Sequence, residues 1–277
     1  MTISGIILDM DGVLWHGETP LPGLQELFRT LWALQLPFVL ATNNATKTPA
    51  QYEAKLQRFG VTVAPEQILT SPGAAVGYLR ERFPAGTPVY AVGERGLHEA
   101  LLEAGFDVVG PDEVRAGASP PVVVGGLTTH NLSYELLATA SLLVRGGAAF
   151  VATNGDRTYP SERGPLPGAG AVLSVITQAT GTPPTVVGKP HRALFDEALR
   201  RLRVPPERAL MVGDRLDTDV VGAQAAGLKT ALVLTGITRH EDLARSEVQP
   251  DFVLADLDAL TAWLTAQLTP RAAGELA

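Results

Sequence analysis

Short apolar runs alternate with stretches of helical spacing along most of the chain, the pattern of an α/β protein built on parallel sheet. Ile3–Leu8 reads as a buried strand, and Leu21–Leu34 has helical spacing that ends near Pro37. Phe38–Ala41 reads as a second strand and runs into Thr42-Asn43-Asn44. Thr48-Pro49 opens a helix to about Phe59, with the proline at its first turn and Gly60 where a helix stops. From about Ser71 the rhythm starts afresh. Strands are expected at Pro88–Val92, Pro121–Gly125 and Ala148–Ala152, with helices at Leu97–Ala104 and Tyr134–Val144. Thr185–Val187, Ala209–Val212 and Ala231–Leu234 then read as strands, each ending in a polar or glycine-bearing motif. The run Gly181-Thr182-Pro183-Pro184 reads as a hinge. The arrangement predicted is a doubly wound, Rossmann-like parallel-sheet core made from residues 1–71 and 182–277, with a smaller α/β domain inserted at 72–181. From about Thr269 onward the tail is small, polar and without period.

In an open parallel sheet, ligands bind outside the carboxyl ends of the strands, and four polar clusters fall there. The first is Asp9-Met10-Asp11-Gly12. Strand side chains alternate faces, so these two acids converge only if the backbone turns after Asp9, a turn that Gly12 makes easy. Asp-x-Asp-Gly also reads as a surface turn or the start of a calcium loop, but Val13, Leu14 and Trp15 stand where that loop needs further acids. Two acids gathered at a strand end suit a hard cation and covalent chemistry on a phosphoryl group.

The second cluster, Thr42-Asn43, reads either as a helix cap or turn, or as a hydroxyl and amides that hold phosphate oxygens. The third is Gly188-Lys189-Pro190-His191. Lys189 is either a solvated surface charge or a compact cation that offsets a nucleophile and a phosphate. It is not a Walker loop, which would need other glycine spacing and a following Ser or Thr. The fourth is Gly213-Asp214-Arg215-Leu216-Asp217-Thr218-Asp219. Asp217 has the place of a helix cap, but Asp214, directly after a strand, has no such duty. Three acids within six residues repel unless a cation or a basic neighbour compensates.

Composition narrows the partners. The 277 residues are 45% hydrophobic and 18% charged, an ordinary globular balance. A formal net charge of -7 argues against nucleic acid polymers and against membrane surfaces. There is no cysteine, which removes disulfides, thiolate metal sites and cysteine nucleophiles. No apolar run approaches a bilayer span, and Asp9 and Asp11 interrupt what would be a signal-peptide core, so a cytoplasmic location is expected.

The ordered set Asp9-x-Asp11-Gly12, Thr42-Asn43-Asn44, Gly188-Lys189-Pro190 and Gly213-Asp214-x4-Asp219 resembles the haloacid dehalogenase (HAD) superfamily of phosphatases. More narrowly, the chain resembles its NagD-like branch, related to p-nitrophenyl phosphatases, with an α/β (type C2) cap inserted between the second and third motifs. Thr42–Thr48 supports the narrower resemblance, as does Ala152-Thr153-Asn154-Gly155-Asp156 leading to Pro167-Gly168-Ala169-Gly170. Ala45 departs from the serine common at that position.

The resemblance implies a Mg2+-dependent phosphomonoester hydrolase acting on a small phosphorylated metabolite, of the nucleotide or sugar phosphate class, through an aspartyl-phosphate. It assigns Asp9 as nucleophile and Asp11 as general acid and base. The implied metal ligands are Asp9, the main-chain carbonyl of Asp11, and Asp214, with Asp219 or Asp217 further out or acting through water. Thr42, Asn43 and Lys189 would hold the phosphate. Asn44, Asn154, Asp156, Arg157, Tyr159 and Arg163 are candidates for substrate selectivity, and a homodimer through the cap is a family expectation. Two other readings remain open: a phosphotransferase or phosphomutase on the same scaffold, and a receiver-like signalling module, which also carries an acid pair, a Thr or Ser and a lysine.

Overall fold

The computed structural model describes residues 3–159 and 163–268; the tail from Thr269 lies outside the described residues. The chain divides into two compact units, the first formed by residues 3–41, 53–68 and 198–268, the second by 42–52 and 69–197.

The first unit is built on a six-stranded sheet. Its order is Phe252–Leu254, Lys229–Val233, Ala209–Gly213, Gly5–Leu8, Phe38–Thr42, Ile68–Thr70. Numbered along the chain this is 6-5-4-1-2-3, the doubly wound order. The pairings within the unit are parallel. Gly5–Leu8 and Ala209–Gly213 are buried along their whole length, as strands covered on both faces must be, which is why they read as continuous apolar runs. The strand order reverses between these two, in the register Leu8 beside Val212. Asp9 and Asp214 are therefore the first residues beyond the sheet at its switch point.

Helices cover the sheet through narrow apolar stripes. Leu24, Leu27, Phe28 and Leu31 are the buried face of the Leu24–Ala33 helix. Phe28 meets Phe38 of the sheet edge-on, with ring centroids 5.3 Å apart. Leu257, Leu260 and Leu264 do the same for Leu257–Leu268. Among the described residues no helix is long and apolar enough to cross a membrane.

The second unit has its own five-stranded parallel sheet, ordered Thr185–Val186, Ala149–Ala152, Val122–Gly125, Pro88–Val92, Asp107–Val109. Its core gathers Tyr90, Val123, Phe150 and Ala152 from the strands with Ala140, Val144, Leu173 and Ile176 from the covering helices. Burial pushes the Tyr90 hydroxyl up to about 12, and it donates to the carbonyl of Leu136 at 2.9 Å. This sheet also reverses its order, between Pro88–Val92 and Val122–Gly125. The crevice there is filled by the chain's own backbone. Gly96 donates its N–H to the carbonyl of Thr46 at 3.3 Å, and a Cβ on Gly96 would lie 2.8 Å from the carbonyl oxygens of Ala45 and Lys47. The buried Ala45 side chain faces Gly126 in the same place. The Gly181–Pro184 run ends the Ala169–Thr180 helix, with Gly181 in the left-handed conformation (φ 74°), and leads into Thr185–Val186.

An ionic clasp ties two outer strands of the first sheet. Asp251 accepts from Lys229 Nζ at 2.8 Å, from the Thr230 N–H at 2.9 Å and from Thr230 Oγ1 at 3.0 Å. Burial acts to raise its carboxyl, but these donors outweigh it and hold the group below its ordinary value. A depressed folded-state value means that the stabilisation is full above the unfolded value near pH ~4 and is lost as pH falls through the folded one. We expect Asp251→Asn to lower stability by about 1 kcal/mol at pH 7. In urea melts the gap to wild type narrows at pH 3, whereas an equal gap at both pH values would contradict the clasp.

Candidate active site

The Asp-x-Asp-Gly turn begins as a continuation of the first strand. The Asp9 N–H donates to the carbonyl of Val212 at 2.8 Å. The backbone then folds over the carbonyl of Met10, which receives the N–H groups of Val13 at 3.2 Å and Leu14 at 2.8 Å. Gly12 takes φ 86°, a left-handed conformation that costs a residue with a Cβ free energy. It is also pressed on Asp214, since a Cβ there would lie 2.5 Å from Asp214 Oδ2. Met10, Val13, Leu14 and Trp15 are fully buried and pin the turn from beneath. Asp9 is buried, while Asp11 is exposed. Trp15 Nε1 donates to Asp11 Oδ1 at 2.8 Å.

Asp214 is held from the opposite side by the loop that follows Lys229–Val233. The Ile237 N–H donates to Asp214 Oδ2 at 2.7 Å, and the Thr238 N–H to the Asp214 carbonyl at 3.0 Å. Gly236 permits this approach, because a Cβ there would fall 1.9 Å from Asp214 Oδ2. Thr235 Oγ1 donates to the Gly12 carbonyl at 2.7 Å and so joins this loop to the first motif.

A single π-helical turn, Leu216–Val220, then settles which later acid faces inward. The Val220 N–H reaches back to the Arg215 carbonyl at 3.2 Å, and the wider turn returns Asp219 to the site, where Oδ2 accepts from the Arg215 N–H at 3.1 Å. Asp217 points away. It takes hydrogen bonds of 3.0 and 2.7 Å from the Arg215 guanidinium, which hold its carboxyl below the usual range against the opposing effect of burial. Its side chain is 69% exposed.

Asp9, Asp214 and Asp219, all buried, each offer an oxygen, and these oxygens lie within 4.8 Å of one another. Buried carboxylates this close either take up protons or share a cation. An all-oxygen donor set of this kind fits a hard divalent ion such as Mg2+.

In the second unit, Thr42-Asn43-Asn44 forms a knot of side chain to backbone bonds. Thr42 Oγ1 accepts from the Asn44 N–H at 3.1 Å. Asn44 Oδ1 accepts from Thr46 N at 2.8 Å and Thr46 Oγ1 at 2.9 Å, so that side chain is committed to shaping the loop. Asn43 pairs with the peptide of Lys189. Its Oδ1 accepts the Lys189 N–H at 2.8 Å, and its Nδ2 donates to the Lys189 carbonyl at 3.0 Å. Lys189 is 4% exposed and is followed by a cis peptide bond to Pro190. The Asn43 carbonyl accepts from Asn154 Nδ2 at 2.8 Å and from Ser71 Oγ at 2.7 Å. Asn154 Oδ1 in turn accepts from the Asp156 N–H at 3.1 Å.

The structure thus brings Asp9, Asp214 and Asp219 together, with Asp11 on the same turn. It also gathers Asn43, Lys189, Asn154 and Asp156. Arg157 and Arg163 are exposed, Tyr159 is half-buried in the Thr158–Tyr159 strand, and Asp217 turns outward. The sequence alone marks neither Trp15 nor the Thr235–Thr238 loop as part of a site. The one available signal for that loop was a Thr-Gly pair just past a buried strand.

Comparison with known proteins identifies the family. A family model described as haloacid dehalogenase-like hydrolase matches residues 6–107, and one described as HAD-hydrolase-like matches 186–260. An acid sugar phosphatase of Staphylococcus haemolyticus is 37% identical over 255 residues, covering 92% of this chain and 94% of that protein. NagD of Escherichia coli superposes with a TM-score of 0.84 at 31% identity, covering 93% of this chain and 98% of the other. The glycerol phosphate phosphatase of Mycobacterium tuberculosis, solved in complex with magnesium, superposes with a TM-score of 0.83 at 36% identity, covering 93% of this chain and 76% of the other. With identity of this level across nearly its whole length, the chain belongs to the haloacid dehalogenase-like hydrolases, as a NagD-like phosphatase that cleaves phosphate esters.

Proposed function

We propose that this protein is a Mg2+-dependent phosphatase of small phosphorylated metabolites, of the sugar phosphate or nucleotide class, working through an aspartyl-phosphate on Asp9. The observation that carries this reading is the buried triad of Asp9, Asp214 and Asp219 at the switch point of the sheet. Asp9, the Asp11 carbonyl and Asp214 would hold the ion, with Asp219 beside them. Bound there, Mg2+ would neutralise charge on the nucleophile and the phosphate.

The chain's own groups carry the chemistry. A carboxylate oxygen of Asp9 attacks phosphorus as the bond to the leaving oxygen breaks. Asp11 delivers a proton to that oxygen, so the alcohol departs neutral. Water then attacks the phosphoenzyme and gives its proton to Asp11. The bond between phosphorus and Asp9 breaks, which releases phosphate, frees the Asp9 carboxylate and leaves Asp11 protonated, ready for the next leaving oxygen.

Thr42 and Lys189 serve phosphate binding, Lys189 by its charge. Asn43 contributes through Lys189, because both ends of its side-chain amide are engaged with the Lys189 peptide. The Asn154–Gly170 segment, with Asn44 shaping the phosphate loop, provides selectivity for the leaving group.

Asp9→Asn is expected to abolish steady-state turnover of p-nitrophenyl phosphate, and near-normal activity in that variant would refute covalent catalysis. Asp11→Asn should slow turnover by ~10²–10⁴-fold. Metal binding has a readout separate from turnover. Mg2+ should raise the melting temperature of Asp11→Asn and leave that of Asp214→Asn unmoved; a shift in both would exclude Asp214 as a ligand. A panel of phosphorylated metabolites, run with Mg2+ and with chelator, identifies the substrate.

Asn43→Ala removes two hydrogen bonds to Lys189 and should lower kcat/KM by about tenfold. The Mg2+ requirement stays as in wild type. An unchanged kcat/KM would remove Asn43 from the site.

A further inference from the structure

We infer that Trp15 is a positioning residue for the proton transfers, its indole N–H fixing the Asp11 carboxylate; this rests on the reading of Asp11 as acid and base. The two residues lie four apart on one turn, yet they differ sharply in environment. Trp15 is wholly buried, whereas Asp11 is exposed. An exposed aspartate is free to rotate about its side-chain bonds, and a group that must meet a leaving oxygen within hydrogen-bond reach loses rate when it wanders. The 2.8 Å bond from Trp15 Nε1 to Asp11 Oδ1 removes that freedom. Among the described residues the other carboxylate oxygen takes no hydrogen bond, which leaves it for substrate and water.

The indole is itself clamped. Phe59 packs against it at 6.0 Å between centroids, tilted by 57°. The ammonium of Lys55 sits 4.3 Å from the centre of the indole ring. Lys55 is 4% exposed, and its Nζ donates to the Gly17 carbonyl at 2.6 Å, which ties it to the hairpin that contains Trp15. A buried lysine over a ring face is attracted to the π-system and draws its electrons toward itself. That makes the indole N–H a better donor, and the same contact prevents the ring from tipping. Packing therefore fixes the rotamer of the group that fixes the acid, the arrangement a precise site requires. A Phe or Leu would fill the same space without reaching Asp11, so burial alone does not account for an indole here.

The test compares p-nitrophenyl phosphate with phenyl phosphate, which are similar in shape and differ in leaving group. Nitrophenolate departs without a proton, while phenolate, with a pKa near ~10 like the tyrosine side chain, needs one. kcat/KM reports the steps up to departure of the leaving group. In Trp15→Phe we expect kcat/KM to fall about tenfold for phenyl phosphate and no more than about twofold for p-nitrophenyl phosphate. The nitrophenolate burst should persist while the steady-state rate after it slows, because Asp11 also activates water. Lys55→Met, which keeps the indole but loosens its seat, should show the same split in weaker form, and it stands in for Trp15→Phe if that variant does not fold. In an Asp11→Asn background Trp15→Phe should add nothing to the loss. Equal falls for both esters, or no fall, would overturn the inference. If Asp11→Asn itself treats both esters as wild type does, the reading of Asp11 fails. If Asp11→Asn shows the split and neither other variant does, only the role of Trp15 fails.

Discussion

Carboxylates resist being confined together, and this fold confines three of them. At about 4 Å two unit charges repel by about 1 kcal/mol in water and about 4 kcal/mol in surroundings typical of a protein surface. Asp9, Asp214 and Asp219 have oxygens within 4.8 Å of one another and almost no solvent. Covalent connection supplies part of the restraint, since two of the three acids follow adjacent parallel strands directly. Backbone donors supply more: the N–H groups of Ile237 and Arg215 each bind a carboxylate oxygen and hold it while its neighbours repel it. A divalent cation held there would convert that repulsion into attraction, and its binding would then be coupled to the order of these loops.

The second unit solves a different problem. A lysine that is 4% exposed needs its backbone held in place. Asn43 does this by treating the peptide of Lys189 as a strand would treat its neighbour, with one donor and one acceptor at matching positions. Its own carbonyl is braced by Asn154 and Ser71. The polar loop therefore has little freedom left, although it belongs to neither helix nor strand.

What could be read along the chain follows the range of the forces involved. The strands near Ile3, Phe38, Pro88, Pro121, Ala148 and Ala209 were legible because a strand buried on both faces is apolar without interruption. Ile68–Thr70, Asp107–Val109 and Phe252–Leu254 were not, since three residues carry too little periodicity to stand apart from a loop. The four polar motifs were legible because each sits just past a strand, where turn chemistry is local. Choosing between Asp217 and Asp219 was beyond spacing alone: an ordinary helical turn and a π turn present different acids, and only the bond from Val220 to Arg215 decides. In sequence Trp15 is one more apolar residue after a strand; its bond to Asp11 lies on the polar edge of the ring and its cation comes from Lys55, forty positions away. The pairing of Asn43 with Lys189 spans 146 positions and leaves no local trace.

The crossing point of the second sheet has an evolutionary consequence. Open parallel sheets usually offer such a crevice to a nucleotide or other guest, but here the peptides of Ala45, Thr46 and Lys47 already occupy the berth beside Gly96. The loop after Phe38–Thr42 is thus a resident guest in its own protein, and a lineage recruiting this domain for cofactor chemistry would first have to evict it, losing the contact that braces that loop.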